Sequence, residues 1–342
     1  MLSERKQKIL AAIVEQYIKT GEPVGSKVLM NELDFNVSSA TIRNEMSELV
    51  SLGFLEQPHT SAGRVPTQLG YRYYVDNLMG KEEIDHKERQ FLEDSINSSA
   101  FGGPEKVIEQ ASELLAEITN CAAVSTSIAN EQATIRKVEL LPISEHTAMI
   151  VLLTSTGVLK SRMCRSDFSI DGELVESFYS VVNKHFMSQA VANIDITMLQ
   201  TLAANLGDKT LSLTPFLITL SDLAQDAAQA DVMLEGQTNL LNHSKDYDTN
   251  VYELLNFLRR AEPLHQIVKS DNNSLMIFIG KENMYKELEN SSMIISKYAL
   301  DNGSGGAFGI IGPTRLNYSK VISSIEYISE LVGKWLSKTL DD

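Results

Sequence analysis

Residues 38–67, SSATIRNEMSELVSLGFLEQPHTSAGRVPT, contain a predicted short helix, a tight hairpin and a basic tip, in that order. Ser38 and Ser39 are residue types that favour the N-cap of a helix, whereas Gly53 favours the position that follows a helix end. The positions between them contain neither Pro nor Gly. The stretch therefore predicts a continuous helix, bounded at both ends, ahead of the hairpin.

This helix has two faces of opposite character. At about 100° per residue, Ile42, Met46 and Leu49 fall into one apolar stripe. The opposite face carries Ala40, Asn44, Ser47 and Ser51, with Arg43 on one edge and Thr41 and Glu48 on the other. Such a face fits the major groove of B-DNA, where Asn bonds adenine and an Ala methyl contacts thymine. Taken alone, it is more simply explained as solvated surface, and the flanking segments decide between the two interpretations.

Two further helices are predicted upstream of this stretch. The first turns inward the apolar residues Ile9, Ala12, Ile13 and Tyr17. A Gly-Glu-Pro break follows at residues 21–23, and the second helix opens near Ser26. Two short helices and a turn ahead of a third helix form the tri-helical arrangement of helix-turn-helix proteins.

A β-hairpin is predicted directly after the third helix. Phe54 and Leu55 begin one strand, residues 59–64 form a loop that contains Gly, and Val65 begins the return strand before Pro66. This loop corresponds to the wing of a winged helix-turn-helix module. Because three helices and a wing occur together, DNA binding is favoured over the solvated-surface interpretation.

The module offers a defined set of candidate DNA contacts. We expect the helix from Ser39 to Leu52 to enter the major groove. The candidates on this helix and its cap are Ser38, Ser39, Ala40, Thr41, Arg43, Asn44 and Ser47, with Ala40, Asn44 and Ser47 nearest the base edges. The wing offers His59, Thr60, Ser61 and Arg64 to phosphates or a minor groove. Lys27 and Arg72 are expected to lie with Arg43 and Arg64 on one side of the module.

Charge is distributed unevenly along the chain, whose net charge is -15. Residues 1–80 contain eight Lys and Arg against nine Asp and Glu, whereas residues 81–342 contain 22 against 36. A nearly neutral module binds phosphates weakly and in a salt-dependent manner. This weakness favours a homodimer whose two modules contact two half-sites of an inverted-repeat operator.

Four segments resemble the HrcA family of heat-inducible transcription repressors. They are SSATIRNEM (residues 38–46), PHTSAGRVPT (58–67), GYRYYVD (70–76) and IGPTRLNY (311–318). The resemblance extends over nearly the whole chain, since the first segment is N-terminal and the last is close to the C-terminus. It implies a homodimeric repressor that binds an inverted-repeat double-stranded DNA operator upstream of chaperone genes, loses repression on heating and is supported by the GroE chaperonin.

The predicted fold class is α+β multidomain, beginning with a winged helix-turn-helix domain at residues 1–80. A charged helical connector is predicted at residues 81–103. Helix and strand patterns at residues 104–190 and 248–342 predict a central antiparallel sheet with packed helices. This arrangement resembles the GAF-like domain of the family. Residues 191–247 show helical patterns without a convincing strand, and they are predicted to form an inserted, mainly helical subdomain.

One apolar stripe in the predicted insertion admits two interpretations. Its members recur at helical spacing and are Leu217, Leu220, Ala224, Ala227 and Ala228. Such a stripe usually belongs to the core of its own domain. In the HrcA family, however, a corresponding insertion contributes to dimerisation, so the core and the dimer interface are weighted equally for this stripe.

Several functional classes lack support in the sequence. No apolar stretch is long enough to cross a membrane and the N-terminus lacks a signal-peptide core, so we expect a cytoplasmic protein. Cys121 and Cys164 lack metal-type spacing and are expected to be reduced core thiols. The six histidines never pair at metal spacing, and the Gly-rich run from Gly303 lacks the Lys-Ser/Thr pair of a P-loop. We therefore expect no enzyme activity, no cofactor and no metal.

An alternative hypothesis keeps the same DNA contacts but changes the trigger. GAF-like folds often bind small effectors, although a fold does not establish a function. The chain would then be a metabolite-responsive winged-helix regulator with its ligand bound in the GAF-like domain. The apolar strands of that domain offer no set of polar residues whose convergence can be inferred from the sequence.

Overall fold

The computed structural model describes residues 2–30, 38–59, 63–99, 102–126, 133–229, 231–247, 251–260, 274–300 and 305–340. The chain forms two compact units. The first unit comprises Met1–Ser125, Met233–Tyr298 and Ala307–Val332. The second comprises Thr126–Val232, Ala299–Gly306 and Gly333–Asp342.

The first unit begins with a winged helix-turn-helix module. Its helices are α1 (Glu4–Thr20), α2 (Ser26–Leu29), α3 (Ser39–Ser51) and α4 (Gln68–Asn77). The antiparallel strands β1 (Leu55–Glu56) and β2 (Val65–Pro66) form the hairpin between α3 and α4. The order of helices and strands predicted for the module is confirmed.

The buried face of α1 is wider than the sequence predicted. Ile9 and Ile13 are buried as expected, but Ala12 and Tyr17 are only half-buried. Leu10 and Val14 are fully buried in their place. Helix α1 contacts α3, α4 and β2 at once, so the surrounding elements cover a broader arc than one row of side chains.

Helix α3 has the two faces that its sequence predicts. The Ser38 side chain caps it by accepting a hydrogen bond from the Thr41 amide at 3.2 Å. Ile42, Met46 and Leu49 are buried, and α3 packs on α1. Gly53 follows the helix with a φ of 81°, a left-handed conformation that glycine adopts without strain.

The remainder of the first unit contains a five-stranded sheet. Its strands are β3 (Ala122–Thr126), β7 (Val232–Glu235), β8 (Leu275–Ile279), β9 (Ser291–Ala299) and β10 (Gly305–Pro313). Their spatial order is β7-β3-β10-β9-β8, and the β3–β10 and β8–β9 pairs are antiparallel. Nearly every residue of β9 and β10 is buried, so both faces of the central sheet are covered.

Helices complete the first unit. They are α5 (His86–Ser99), α6 (Pro104–Thr119), α10 (Val251–Leu258) and α11 (Tyr318–Leu340), whose residues up to Val332 belong to this unit. Pro104 occupies the first turn of α6, as predicted. Helix α11 buries Val321, Ile325 and Ile328 along one face. Within the described ranges, no helix is both long and apolar enough to span a membrane.

The second unit has its own sheet and its own core. Strands β4 (Ile135–Ser144), β5 (Thr147–Thr154) and β6 (Leu159–Arg165) pair antiparallel in that order. Helices α7 (Gly172–His185), α8 (Ile196–Leu206) and α9 (Thr210–Ala228) accompany them. Helix α9 contacts α7, β5 and β6, and Phe178 and Phe216 are fully buried in the shared core.

The boundaries of the two units differ from the domain boundaries expected from the sequence. Strands β4 to β6 and helix α7, expected in the same domain as residues 104–125, belong to the second unit together with α8 and α9. The reason is that β4, β5 and β6 hydrogen-bond only with one another among the described strands. Residues 191–247, which show no convincing strand pattern in the sequence, contribute the short strand β7 to the sheet of the first unit. A strand of four residues is too short to produce a clear alternating pattern.

The apolar stripe of α9 is core. Leu217, Leu220, Ala224, Ala227 and Ala228 are all buried within the second unit. The stripe packs toward β5 and β6 of the same unit and is not an exposed surface. The intradomain interpretation of this stripe is therefore the one that the structure supports.

Gly70 provides a test of how tightly the wing packs on α4. A Cβ atom at Gly70 would lie 2.2 Å from the Phe54 carbonyl oxygen. Alanine gains about 1 kcal/mol over glycine in a helix interior, but overpacking of this kind costs about 1–3 kcal/mol. We expect Gly70→Ala to lower the free energy of unfolding of the module, measured by amide hydrogen exchange of α3.

Gly80→Ala is the matched control, because a Cβ atom at Gly80 meets no atom within 4 Å. This control should leave the exchange rates of α3 unchanged. Equal or greater protection of α3 in Gly70→Ala would show that the wing yields to the added methyl group.

Candidate nucleic-acid interface

The exposed face of α3 is set by the burial of its opposite face. Ile42 and Leu49 are completely buried, which fixes the rotation of the helix about its axis. Ala40, Arg43, Asn44 and Ser47 are exposed as a consequence. Among the residues that the structure describes, the side chains of Arg43 and Asn44 make no hydrogen bond or ion pair. Both side chains lie on the exposed face of α3.

The hydroxyl groups at the start of α3 have structural partners. Ser38 Oγ lies 2.9 Å from Thr41 Oγ1, and Ser39 Oγ lies 2.9 Å from Ser26 Oγ on α2. Ser39 is therefore turned toward α2 and fixes the contact between the two helices. Ser47 Oγ donates to the Arg43 carbonyl at 2.9 Å and keeps its acceptor capacity.

The return strand of the wing also pairs with the segment before α2. The Val24 and Arg64 backbones exchange two hydrogen bonds of 2.9 Å. Gly63 permits this approach, since a Cβ atom there would lie 2.4 Å from the Val24 carbonyl oxygen. The pairing brings the base of the wing beside the start of α2, where Lys27 is exposed.

The wing candidates are placed only in part. His59 is exposed, and Arg64 is half-buried with its Nη1 atom 3.4 Å from the Gly63 carbonyl oxygen. Thr60 and Ser61 lie outside the described residues. The structure thus places Lys27, Arg43 and Arg64 on three adjoining elements of the module: α2, α3 and the base of the wing.

Arg72 departs from the expected grouping of cations. Its Nε atom donates to Glu282 Oε1 at 3.0 Å, and its Nη2 atom donates to Glu282 Oε2 and to the Ile277 carbonyl at 2.7 Å. Its Nη1 atom donates to Asp76 at 3.2 Å. All three guanidinium nitrogens are engaged, so Arg72 is committed to contacts within the first unit. No local sequence pattern signals this contact, because Glu282 is 210 positions away.

Two cations that the sequence analysis did not select lie beside α3. Lys6 Nζ is 2.9 Å from carboxylate oxygens of both Glu45 and Glu48, and Arg5 Nη1 is 3.4 Å from Glu45. Hydrogen bonds with Glu48 and Glu45 raise the pKa of Lys6 above its ordinary value. These α1 cations offset two negative charges on α3 that would otherwise repel DNA phosphates.

Within the described residues, no group of three or more His, Cys, Asp and Glu side chains could hold a metal ion. Cys121 and Cys164 are both buried and unpaired by disulfide. Burial raises the pKa of Cys121 to about 12, so its thiol stays protonated at neutral pH. This matches the expectation of a reduced core thiol.

Comparison with known proteins agrees with this geometry. Residues 1–77 match the family profile described as winged helix-turn-helix transcription repressor, HrcA DNA-binding. Residues 105–322 match the profile described as HrcA protein C terminal domain. Together the two profiles cover most of the chain.

Two named relatives align with the chain over nearly their whole lengths. The heat-inducible transcription repressor HrcA of Clostridium botulinum (strain Eklund 17B / Type B) is 34% identical over 333 residues, which cover 96% of this chain and 97% of the relative. The protein of the same name from Carboxydothermus hydrogenoformans is 33% identical over 342 residues, which cover 97% and 99%. These relatives favour the repressor hypothesis over the metabolite-responsive alternative.

A solved structure shares the fold. The crystal structure of a hypothetical protein at 2.2 Å resolution aligns with a TM-score of 0.67 and 24% identity, over 99% of this chain and 100% of that chain. The fold is an N-terminal winged-helix module followed by mixed α+β structure, which confirms the predicted fold class. On the profiles and the relatives together, the chain belongs to the HrcA family of heat-inducible transcription repressors.

Proposed function

We propose that this protein is a cytoplasmic, dimeric repressor that binds an inverted-repeat operator of chaperone genes and releases it on heating. The observation that carries the proposal is the orientation of α3, which buries Ile42 and Leu49 and exposes Arg43 and Asn44. The name shared by the relatives, heat-inducible transcription repressor, supports the response to heat. Repression is steric, since a dimer lying on a promoter excludes polymerase without any chemical step.

The exposed face of α3 supplies the base contacts in this proposal. Asn44 bonds an adenine edge, the Ala40 methyl group contacts a thymine methyl, and Ser47 serves as a donor or acceptor. Each of these side chains is exposed in the free protein, so DNA binding does not require α3 to rotate. Ser38, Ser39 and Thr41 act by fixing the start of the helix through their mutual and α2 hydrogen bonds.

Phosphate contacts position the module without reading sequence. We assign them to Lys27 and Arg43, which are exposed on adjoining helices, and to the wing residues His59, Thr60, Ser61 and Arg64. Arg72 is left out of this set because its guanidinium group is engaged by Glu282 and Ile277.

A second copy of the chain is the proposed partner for an apolar surface on the second unit. Strand pairing aligns Leu141, Met149 and Met163 in one row across β4, β5 and β6. Leu141 and Met163 are 44% and 51% exposed, and Ile143 and Leu159 on the same strands are 60% and 55% exposed. Exposed apolar patches of this kind are typical of protein interfaces. A two-fold dimer through this face would present two modules to the half-sites of an inverted repeat.

In this proposal, heat lowers the affinity for DNA by disturbing the separation of the two modules in the dimer. One nearly neutral module binds weakly, so tight binding requires both modules of the dimer at the correct separation. Modest thermal loosening of the dimer removes most of the affinity. A chaperonin of the GroE type, which the family resemblance implies, would refold loosened protein and so restore repression when it has free capacity.

Asn44→Ala tests direct reading of bases. Because Asn44 is exposed on the groove face, its loss should cost about 1–3 kcal/mol of discrimination against the wrong base. The measurement is the ratio of dissociation constants for operator and scrambled duplex. Asn77→Ala is the matched control, since Asn77 is an exposed Asn at the far end of α4. An equal loss of affinity for both duplexes would assign Asn44 to helix positioning only.

Arg64→Ala tests the role of the wing. If Arg64 contacts a phosphate, its loss should weaken binding to every sequence and reduce the slope of log K against log salt by about one unit. Lys8→Ala is the control, because Lys8 is an exposed cation on α1 that pairs with Glu4. A slope unchanged from the wild type would remove Arg64 from the interface.

The function as a whole is tested by selection of bound duplexes from a random pool at two temperatures, followed by sequencing. We expect an inverted repeat to be enriched at the lower temperature and lost at the higher one. Recovery of no preferred sequence at low temperature would contradict the repressor proposal. An enriched site without two-fold symmetry would contradict the dimer.

A further inference from the structure

The winged-helix module contacts the sheet of the first unit through α4. Arg72 donates to both carboxylate oxygens of Glu282, just after β8, and to the carbonyl of Ile277 in the middle of β8. Beside it, Gln68 Oε1 accepts a hydrogen bond of 3.1 Å from the Lys281 amide. Gly280 allows this turn, because its φ of 58° is left-handed. We call this contact the α4 clamp.

A second contact lies at the C-terminus of α1. Arg315 Nε and Nη2 donate to the two carboxylate oxygens of Asp246 at 2.8 and 2.9 Å. Its Nη1 atom donates to the Ile18 carbonyl at 2.8 Å. Carbonyl groups in the last turn of a helix lack partners within the helix, and the α1 end is a natural acceptor for a guanidinium group. We call this contact the α1 clamp.

Both clamps are stronger than ordinary surface ion pairs. The side chains of Arg72 and Glu282 are 26% and 29% exposed, and those of Arg315 and Asp246 are 22% and 15% exposed. Each arginine binds its carboxylate with two nitrogens, and such bidentate, partly buried pairs have fixed geometry. Burial alone would raise the pKa of Glu282, but hydrogen bonds from Arg72 and the Ile279 amide hold that pKa below its ordinary value.

An apolar contact lies alongside the two clamps. The rings of Tyr71 on α4 and Tyr318 on α11 are both buried, with centroids 5.9 Å apart. A single contact would leave the module free to pivot, whereas contacts through both α4 and the end of α1 remove that freedom. The buried stripe of α3 packs on α1. An α1 held in one orientation therefore also holds the exposed face of α3 in one orientation.

We propose that Arg72 and Arg315 are positioning residues for operator binding: the α4 and α1 clamps hold α3 at one angle to the sheet. The inference rests on the proposed function, in that a dimer must present two modules at one separation. It goes beyond that function by explaining how the module is held to the sheet of the first unit. Neither arginine touches DNA in this role.

The test removes the two side chains outside the module that bond to it directly, Arg315 and Glu282, so every residue of the module stays intact. The full-length double variant E282A/R315A is compared with the wild type and with Glu326→Ala. Glu326 pairs with Lys81 on the segment after α4 at 3.0 Å, so its loss is a matched control that spares both clamps. Should E282A/R315A fold poorly, the milder E282Q/R315Q is measured in its place.

The first readout is affinity for duplexes that carry two inverted copies of the selected half-site at separations varied in steps of one base pair. The wild type and Glu326→Ala should lose affinity at least about tenfold when the separation changes by about two base pairs. The clamp variant should show a change of less than about threefold over the same series. A variant that was only less stable would lose affinity equally at every separation and would keep the dependence of affinity on separation seen in the wild type. That result would overturn the proposal.

The second readout needs no DNA, so it separates this inference from the proposed function. Amide hydrogen exchange of α4 and β8 should rise together at least about tenfold in E282A/R315A while α3 stays protected. Unchanged exchange at α4 and β8 would overturn the clamps even if operator binding were established. If the wild type binds no preferred duplex, the repressor proposal fails, and this readout alone decides whether the clamps fix the module.

Discussion

The burial of one stripe of α3 against α1 is the constraint on which the functional surface depends. Ile42, Met46 and Leu49 are nearly inaccessible to solvent, so the helix can adopt only one rotation about its axis. A polar face is presented to the outside because the apolar face is held inside, and Arg43 and Asn44 need no conformational change to reach a groove. In the proposed function, the specificity of the module therefore derives from its hydrophobic core. A substitution that displaced this stripe would rotate α3 about its axis and move Arg43 and Asn44 away from the exposed face, although neither residue had been changed.

The local parts of this arrangement could be predicted from the sequence, and the long-range parts could not. Ser38, Gly53 and the spacing of the apolar residues act within a few positions, where helix periodicity and capping rules apply. The partners of Arg72 and Arg315 are 210 and 69 positions away, and no periodicity connects them. Charge alone therefore groups Arg72 with the DNA-binding cations, although its guanidinium nitrogens bond within the first unit. The converse holds for Lys6, because its ion pairs with Glu45 and Glu48 of α3 are formed only in the folded module.

The second unit shows the same limit for strands. A β-rich run indicates that a strand forms, but it does not indicate which sheet the strand joins. β3 and β4 are consecutive in sequence, yet β3 pairs in the first unit and β4 in the second. The α9 stripe and the outer face of the three-stranded sheet make a similar contrast. Periodicity marks both as apolar, and only the packing decides that α9 is core while Leu141 and Met163 remain exposed.

The chemistry of the two clamps bears on a response to temperature. A module that was held by a large apolar interface would expose that interface on release, and the exposed surface would favour aggregation over return. Arg72 and Arg315 instead hold it mainly with charge-assisted hydrogen bonds at partly exposed sites, which water can satisfy once the contact opens. One apolar contact accompanies them, between the rings of Tyr71 and Tyr318. The core of the module is a separate set of contacts, because α1 packs on both α3 and α4 and buries apolar residues of its own.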